Sequence, residues 1–289
     1  MGDYVDLHIH SCYSDGLFNP KTLIETAKKN NVGILSITDH DTVDGIHDID
    51  FDDKEVEIIT GIELSSFIDI KGNKEKIHLL GYDFDYSNSE LQDVLMYLKE
   101  YRTKINLEYL YQLKKMYSCL RDDMYCGIDY SKYCRLWKEI ETYMKRSGYT
   151  VSEIEDVKKY TINNFPEYPD YDIFYKDVIS AIRKAGGDVI LAHPFSYKLN
   201  DEDVLQMIYT LLDAGADGIE AYYSEYSSSQ IQRLVHLAKA LDISYTCGSD
   251  HHFPTVQNNK EIGYGIDNNL CQEDCSYLQK RLRKERNNL

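Results

Sequence analysis

Apolar runs that read as strands keep stopping at a histidine or an acid, and that recurrence constrains the fold more than any other property of this sequence. The first instance is Val5-Asp6-Leu7-His8-Ile9-His10-Ser11-Cys12-Tyr13-Ser14-Asp15-Gly16. Leu7 and Ile9 alternate with His8 and His10, so an extended strand sends both imidazoles to one side. Such a pair can grip one metal ion, and Asp15, on a Ser/Gly-rich turn, can swing back to add an oxygen. Taken alone, the pair is read equally well as two solvated histidines on an edge strand.

The same punctuation continues downstream. Asn19-Pro20 caps and starts a helix running to about Asn30. Ile34 to Thr38 reads as a buried strand stopping at Asp39-His40-Asp41. Glu57 to Thr60 is a further strand that runs into a polar opening at Gly61-Ile62-Glu63, and Lys76 to Tyr82 is another, carrying His78. From about Ser89 to Pro166 the texture changes to charged, tyrosine-laden helical periodicity. Its apolar stripe is Leu91, Val94, Leu95, Leu98, Ile105, Leu110 and Leu113. This predicts a helical insertion over 89–166, with 163–172 as the return linker, between the two parts of a barrel domain, 1–88 and 167–289.

Alternation then resumes. A helix over Phe174 to Ala185 closes at Gly186-Gly187, and a strand over Asp188 to Ala192 ends at His193-Pro194. Helices are expected over Asp201 to Ala214, Ser229 to Leu241 and about Glu273 to Arg286. Strands are expected over Gly218 to Ala221 and Ser244 to Cys247, the last ending in Gly248-Ser249-Asp250-His251-His252.

In α/β barrels the C-terminal strand ends share one rim, and side chains that do chemistry sit there. His8, His10, His40, Glu63, His78, His193, Asp250 and His252 all fall at or just past predicted strand ends. With Asp15 they supply six imidazoles and three carboxylates, more than one ion can use, so two or three metals are implied. A carboxylate such as Glu63 is the group best suited to bridge two cations. Asp39 and Asp41 read either as orienters of imidazole N–H groups or as surface turn residues. His47, His236 and His251 look bland, and His251 should point away from His252.

Composition removes several alternatives. A net charge of −17 disfavours duplex nucleic acid and anionic membranes but leaves room for a small phosphorylated ligand beside bound cations. No apolar run approaches the roughly 18 residues of a membrane span, and the N-terminus lacks a signal-peptide pattern, so a cytoplasmic protein is expected. Cysteines 12, 119, 126, 134, 247, 271 and 275 form an odd set without paired spacing, which reads as reduced thiols. The 26 tyrosines read as composition bias.

The motifs His8-x-His10 with Ser14-Asp15-Gly16, Thr38-Asp39-His40-Asp41-Thr42, Gly61-Ile62-Glu63, His78-Leu79-Leu80-Gly81-Tyr82, Ala192-His193-Pro194 and Gly248-Ser249-Asp250-x-His252 resemble, in this order, those of the PHP (polymerase and histidinol phosphatase) domain. The resemblance is nearest to its stand-alone bacterial phosphoesterases of the nucleoside 3',5'-bisphosphate and AMP phosphatase type, and it spans nearly the whole chain. It implies a distorted (β/α)7 barrel holding two to three divalent ions (Mn, Fe or Zn). By motif, His8, His10, Glu63 and Asp250 would hold the first ion, with Glu63 bridging to a second on His78 and His193. Asp15, His40 and His252 would hold the third.

Glu63, His193 and Asp15 would thus act in catalysis through the metals. A phosphomonoester, such as a nucleotide or short oligonucleotide, would be hydrolysed by metal-bound hydroxide. No nucleophilic Ser or Cys is required, and the proton donor to the leaving group stays open, with a third-metal water and Asp15 as two candidates. The chain departs from the pattern at one point: in His193-Pro194-Phe195-Ser196-Tyr197, Ser196 stands where the nucleotide-type relatives present an arginine. A serine cannot make a guanidinium's bidentate contact, which puts the bisphosphate preference in doubt and leaves AMP or a nucleoside 3',5'-bisphosphate as the expected nucleotide substrates. Ser196, Lys198 and Arg102 are the candidate substrate contacts. Histidinol-phosphate hydrolysis, a non-catalytic metal-binding interaction module and an amidohydrolase remain as alternatives, and the sequence leaves the oligomeric state open.

Overall fold

The computed structural model describes residues 2–121, 123, 129–131, 136–165, 173–253, 260–266, 268–270 and 275–287. Chain contacts divide it into two compact units, Met1–Val94 with Ile173–Leu289, and Leu95–Asp172. Most of the return linker and the start of the last predicted helix, residues 166–172 and 273–274, lie outside the described residues, as do Cys126, Cys134 and Cys271. The four described cysteines, Cys12, Cys119, Cys247 and Cys275, are free thiols.

The larger unit is mixed α/β. Strands β1 (Tyr4–Ile9), β2 (Val32–Ile37) and β3 (Glu57–Ile58) form a parallel sheet. Strands β4 (Gly61–Ile70), β5 (Asn73–Tyr82), β6 (Asp188–Leu191), β7 (Gly218–Tyr223) and β8 (Ser244–Gly248) form a second, in that order. Its β4–β5 and β5–β6 pairs are antiparallel, and β6–β7–β8 are parallel. Two isolated parallel bridges link the sheets, Ile9↔His251 and His40↔Glu63. The helices joining parallel strands are α1 (Pro20–Lys29), α6 (Asp201–Asp213) and α7 (Ser228–Leu241), while α5 (Tyr175–Lys184) leads into β6 and α8 (Ser276–Asn287) follows β8.

Local chemistry accounts for these elements. The Asn19 side chain accepts from Thr22 N at 2.8 Å, Pro20 opens α1, and Leu23, Ile24 and Ala27 turn its apolar face inward. In α7 a reciprocal capping box joins Ser227 and Gln230, and Asp242 ends the helix in the left-handed region. Leu7 packs with Leu80, Ile190 and Cys247, while Ile9 packs with Leu23, Leu35 and Ile37. Asp6 and His8 on the opposite face are fully buried too, so β1 is buried on both faces.

One element differs from expectation in a way that moves the site. Residues 61–82 form a single antiparallel hairpin turning at Lys71-Gly72, both at positive φ, so Glu63 lies inside a ten-residue strand and not in a loop. The turn carries lysine where hairpin turns of this type favour Asn or Asp, which hid it from the sequence. His78 likewise sits mid-strand, paired with Ser65, and not at a strand end.

The smaller unit carries most of α2 (Ser89–Met116), with α3 (Leu136–Arg146) and α4 (Val151–Asn164). Its own core includes Leu110, Leu113, Ile140, Met144, Ile154, Val157 and Phe165. On α2, Arg102 and Asn106 occupy buried positions within the apolar stripe. They donate to the carbonyls of Ser131 and Tyr130 at 2.6 and 3.0 Å. Among the described residues no helix is long and apolar enough to cross a membrane.

Candidate metal centre

Glu63 is the hub. It is fully buried, and its two carboxylate oxygens face five imidazoles. Oε2 lies 3.1 Å from His8 Nε2, 3.2 Å from His10 Nε2 and 3.1 Å from His40 Nδ1. Oε1 lies 3.0 Å from His78 Nδ1 and 3.1 Å from His193 Nε2. The hairpin places it there: antiparallel pairing sets Glu63 opposite Leu80, two residues along from His78.

The remaining acids close the cluster. Asp250 Oδ1 is 3.1 Å from His10 Nε2 and 3.5 Å from His8 Nε2. Asp15 Oδ1 is 3.1 Å from His252 Nε2 and 4.0 Å from both His10 and His40. His10 is sandwiched between His40 and His252, with ring centroids 4.4 and 4.1 Å away and near-parallel planes. Among the described residues, three groups of donor atoms gather within 4.8 Å: His8, His10, Glu63 and Asp250; His10, Asp15, His40 and His252; and His40, Glu63 and His78. His193 joins the cluster through Glu63 Oε1 and not through these groups.

All nine predicted ligands therefore converge. The donor set of imidazoles and carboxylates suits Mn, Fe or Zn, and one further observation supports a cation. His10 is fully buried, yet neither ring nitrogen makes a hydrogen bond although two carboxylate oxygens lie within 3.2 Å; His193 Nδ1 is buried without a partner too. Leaving such atoms unsatisfied is costly, and an ion among them removes the cost.

The loop carrying Asp15 is shaped by Asp39, whose carboxylate accepts from Ser11 N, Ser11 Oγ and Ser14 Oγ at 2.6–2.7 Å. Asp41 accepts from Ser65 N at 2.7 Å and so ties β4 to the end of β2. Both are buried, which corrects the surface-turn reading, and the groups Asp39 orients are loop hydroxyls and an amide, not imidazoles. His251 turns away from the cluster, as expected, to the Lys260 carbonyl at 2.6 Å. His193 and Asp250 hold positive φ of 29° and 54°, a backbone cost of about 1–3 kcal/mol each that the surrounding structure must sustain.

Sequence reasoning missed Glu220. Fully buried on β7, it takes His8 Nδ1 at 2.9 Å on Oε1 and the His193 backbone N–H at 2.8 Å on Oε2. A carboxylate can only accept, so His8 Nδ1 carries the proton and Nε2 is turned to the cluster. The available signal was a lone acid in the otherwise apolar strand Gly218-Ile219-Glu220-Ala221. Strand β8 can close over this pair because residue 248 is glycine: a Cβ there would stand 2.1 Å from His8 Cβ and 2.8 Å from Glu220 Oε1. Asp6 was missed as well. It is buried and accepts from the His8, Ser249 and Gly263 amides, joining β1 to the segment after β8.

The candidate substrate contacts fall differently. Ser196 and Lys198 are exposed just after His193. Arg102 belongs to the smaller unit, where its guanidinium bonds the Ser131 carbonyl.

Charge in the cluster is strongly coupled. Burial lowers the His10 pKa, but the adjoining carboxylates of Asp250 and Glu63 outweigh it and push it up to about 10. His8 behaves likewise, burial being outweighed by Glu220 and Glu63. Burial holds His40 well below the ordinary value. Burial raises Asp15, Glu63 and Asp250, yet the neighbouring histidines carry all three below the usual carboxylate range.

In the metal-free chain the His10 proton contributes stability that is complete below about 6.5 and lost as pH rises through about 10. The carboxylates contribute stability that is lost on acidification. A divalent ion needs the imidazole lone pairs, so its binding must expel protons. Titration calorimetry with Mn²⁺ at pH 7 in buffers of different ionisation enthalpy should show release of about one to two protons, with affinity rising with pH. Heats independent of buffer would show that His8 and His10 are already neutral.

Comparison with known proteins agrees with the site. Residues 6–160 match the family model for the PHP domain, and the chain belongs to that family. A 5'-3' exoribonuclease of Haemophilus influenzae is 29% identical over 262 residues, covering 86% of this chain and 90% of the relative. A 3',5'-nucleoside bisphosphate phosphatase of Chromobacterium violaceum is 23% identical over 273 residues, covering 91% and 92%. Among solved structures, an amidohydrolase from Chromobacterium violaceum with bound sulfate and no metal aligns with a TM-score of 0.73 at 22% identity, covering 96% of each chain. That likeness concerns the fold alone.

Proposed function

We propose that this chain is a metal-dependent phosphoester hydrolase that cleaves a small phosphomonoester, a nucleotide or the end of a short oligonucleotide, and that the two bridged sheets form a distorted (β/α)7 barrel whose mouth holds the site. The observation that carries the reading is the single buried carboxylate of Glu63 set among five imidazoles. The names of the two relatives, an exoribonuclease and a nucleoside bisphosphate phosphatase, both concern phosphoesters of RNA or nucleosides, which supports the substrate class.

His8, His10, Glu63 and Asp250 would hold one ion, Glu63 with His78 and His193 a second, and Asp15, His40 and His252 a third. When bound, divalent ions would neutralise charge on the phosphoryl oxygens and make water a competent nucleophile near neutral pH. The chain's own groups fix the frame. Glu220 orients His8, Asp39 holds the Asp15 loop, and Glu63 keeps five rings in register. Ser11 and Ser14 spend their hydroxyls on Asp39, which fits hydrolysis without a covalent serine intermediate.

The test is metal analysis coupled to turnover. Chain reloaded with Mn²⁺, Zn²⁺ or Fe²⁺ should hold two to three ions and release phosphate from at least one of AMP, a nucleoside 3',5'-bisphosphate and a 5'-phosphorylated short RNA. A metal-replete chain inert toward the whole panel would refute the reading.

A further inference from the structure

Asp250 uses its two oxygens differently. Oδ1 faces His10, His8 and His252 at 3.1–3.5 Å, whereas Oδ2 accepts from the Tyr223 hydroxyl at 2.9 Å and from Lys260 Nζ at 3.2 Å. Lys260 is largely buried, with 15% of its side chain exposed, and its ammonium also meets Glu225 Oε1 at 2.9 Å and the Tyr223 hydroxyl at 3.3 Å. The ammonium lies 5.1 Å from the centre of the Tyr223 ring.

An ammonium has three N–H donors, and here three acceptors take them: Asp250, Glu225 and Tyr223. No donor is left over for a substrate phosphate. The cation's influence on the cluster therefore runs through Asp250, whose outer oxygen it binds.

We propose that Lys260 and Tyr223 hold Asp250 as a single-oxygen ligand, which makes Lys260 a positioning residue of the metal centre. The proposal rests on the metal-dependent reading above. Two effects follow. Asp250 cannot chelate with both oxygens, so coordination sites stay open for water and substrate. A fixed positive charge beside a ligand carboxylate also weakens that carboxylate's hold on a cation, so the chain gives up metal affinity to keep the site open. A lysine placed only to hold the loop would show neither.

The experiment compares wild type, Lys260→Met and Tyr223→Phe in Mn²⁺ titrations and in steady-state turnover of whichever substrate the panel identifies. Lys260→Met should bind Mn²⁺ about fivefold or more tightly, with kcat falling about tenfold and KM held within about twofold. Tyr223→Phe, which leaves no large void, should shift both quantities the same way by less, and it decides the matter should Lys260→Met not fold. Lys260→Arg should restore kcat toward wild type.

Mn²⁺ binding that is unchanged or weaker in both Lys260→Met and Tyr223→Phe would overturn the proposal. So would a raised KM with intact kcat, which would make Lys260 a substrate contact. A wild-type chain that takes up no Mn²⁺ would overturn the metal reading itself, a result separable from either.

Discussion

Replacing Glu63 by glutamine should abolish phosphoester turnover, by about a thousandfold or more, and reduce bound metal to less than half of the wild-type content. The substitution keeps the shape of the side chain and removes one negative charge. That charge is met by five rings at 3.0–3.2 Å, and it helps to raise the pKa of His8 and His10. Removing one partner from a buried ionic cluster costs about 3–5 kcal/mol, because the charges left behind cannot reach water. A glutamine also offers one oxygen where two are needed, so it cannot serve ions on both sides. About 4 kcal/mol lost from transition-state stabilisation is about a thousandfold in rate. Circular dichroism should still show a folded α/β chain with a lower melting temperature. Full turnover in a folded Glu63→Gln variant would remove Glu63 from the site.

The second large effect is expected at Glu220, which no motif flagged. Its two oxygens serve two donors, His8 Nδ1–H and the His193 backbone N–H. Glutamine has a single acceptor oxygen, so one buried donor must go unsatisfied, at about 1–3 kcal/mol. Loss of the carboxylate that orients a ligating histidine typically costs about 10- to 100-fold in metal affinity or activity. Glu220→Gln should therefore weaken Mn²⁺ binding by about that factor, opposite in direction to Lys260→Met. Binding within about threefold of wild type would show that His8 is held well enough by Gly248 and its own strand.

These positions also show what the sequence could disclose. The nine candidate ligands stand in short local patterns such as His8-x-His10, Asp39-His40-Asp41 and Asp250-x-His252, which a sequence displays over a few residues. The helices following Asn19, Asn200 and Ser227 were legible for the same reason, since caps and apolar periodicity are local. The groups that tune the ligands were not. Glu220 meets His8 across 212 residues, Lys260 meets Asp250 from a loop ten residues on, and Asp39 reaches back to Ser11 and Ser14. The β4–β5 hairpin was hidden by an atypical turn, and with it the fact that Glu63 and His78 come from strand interiors.

The meeting of β1 with the end of β8 carries a consequence for how the centre comes into being. Ile9 bridges His251, Asp6 accepts from Ser249 across 243 residues, and the Asp250 amide donates to the His8 carbonyl. The hairpin bearing Glu63 and His78 can form early during synthesis, since its strands are neighbours in sequence. His193, Asp250 and His252 leave the ribosome more than a hundred residues later. A nascent chain that stops at residue 160, the limit of the family match, would own six of the nine candidate ligands and no Glu220. Assembly of the cluster is thus coupled to completion of the polypeptide, since a chain cut there lacks His193, Asp250 and His252 as well as the carboxylate that holds His8.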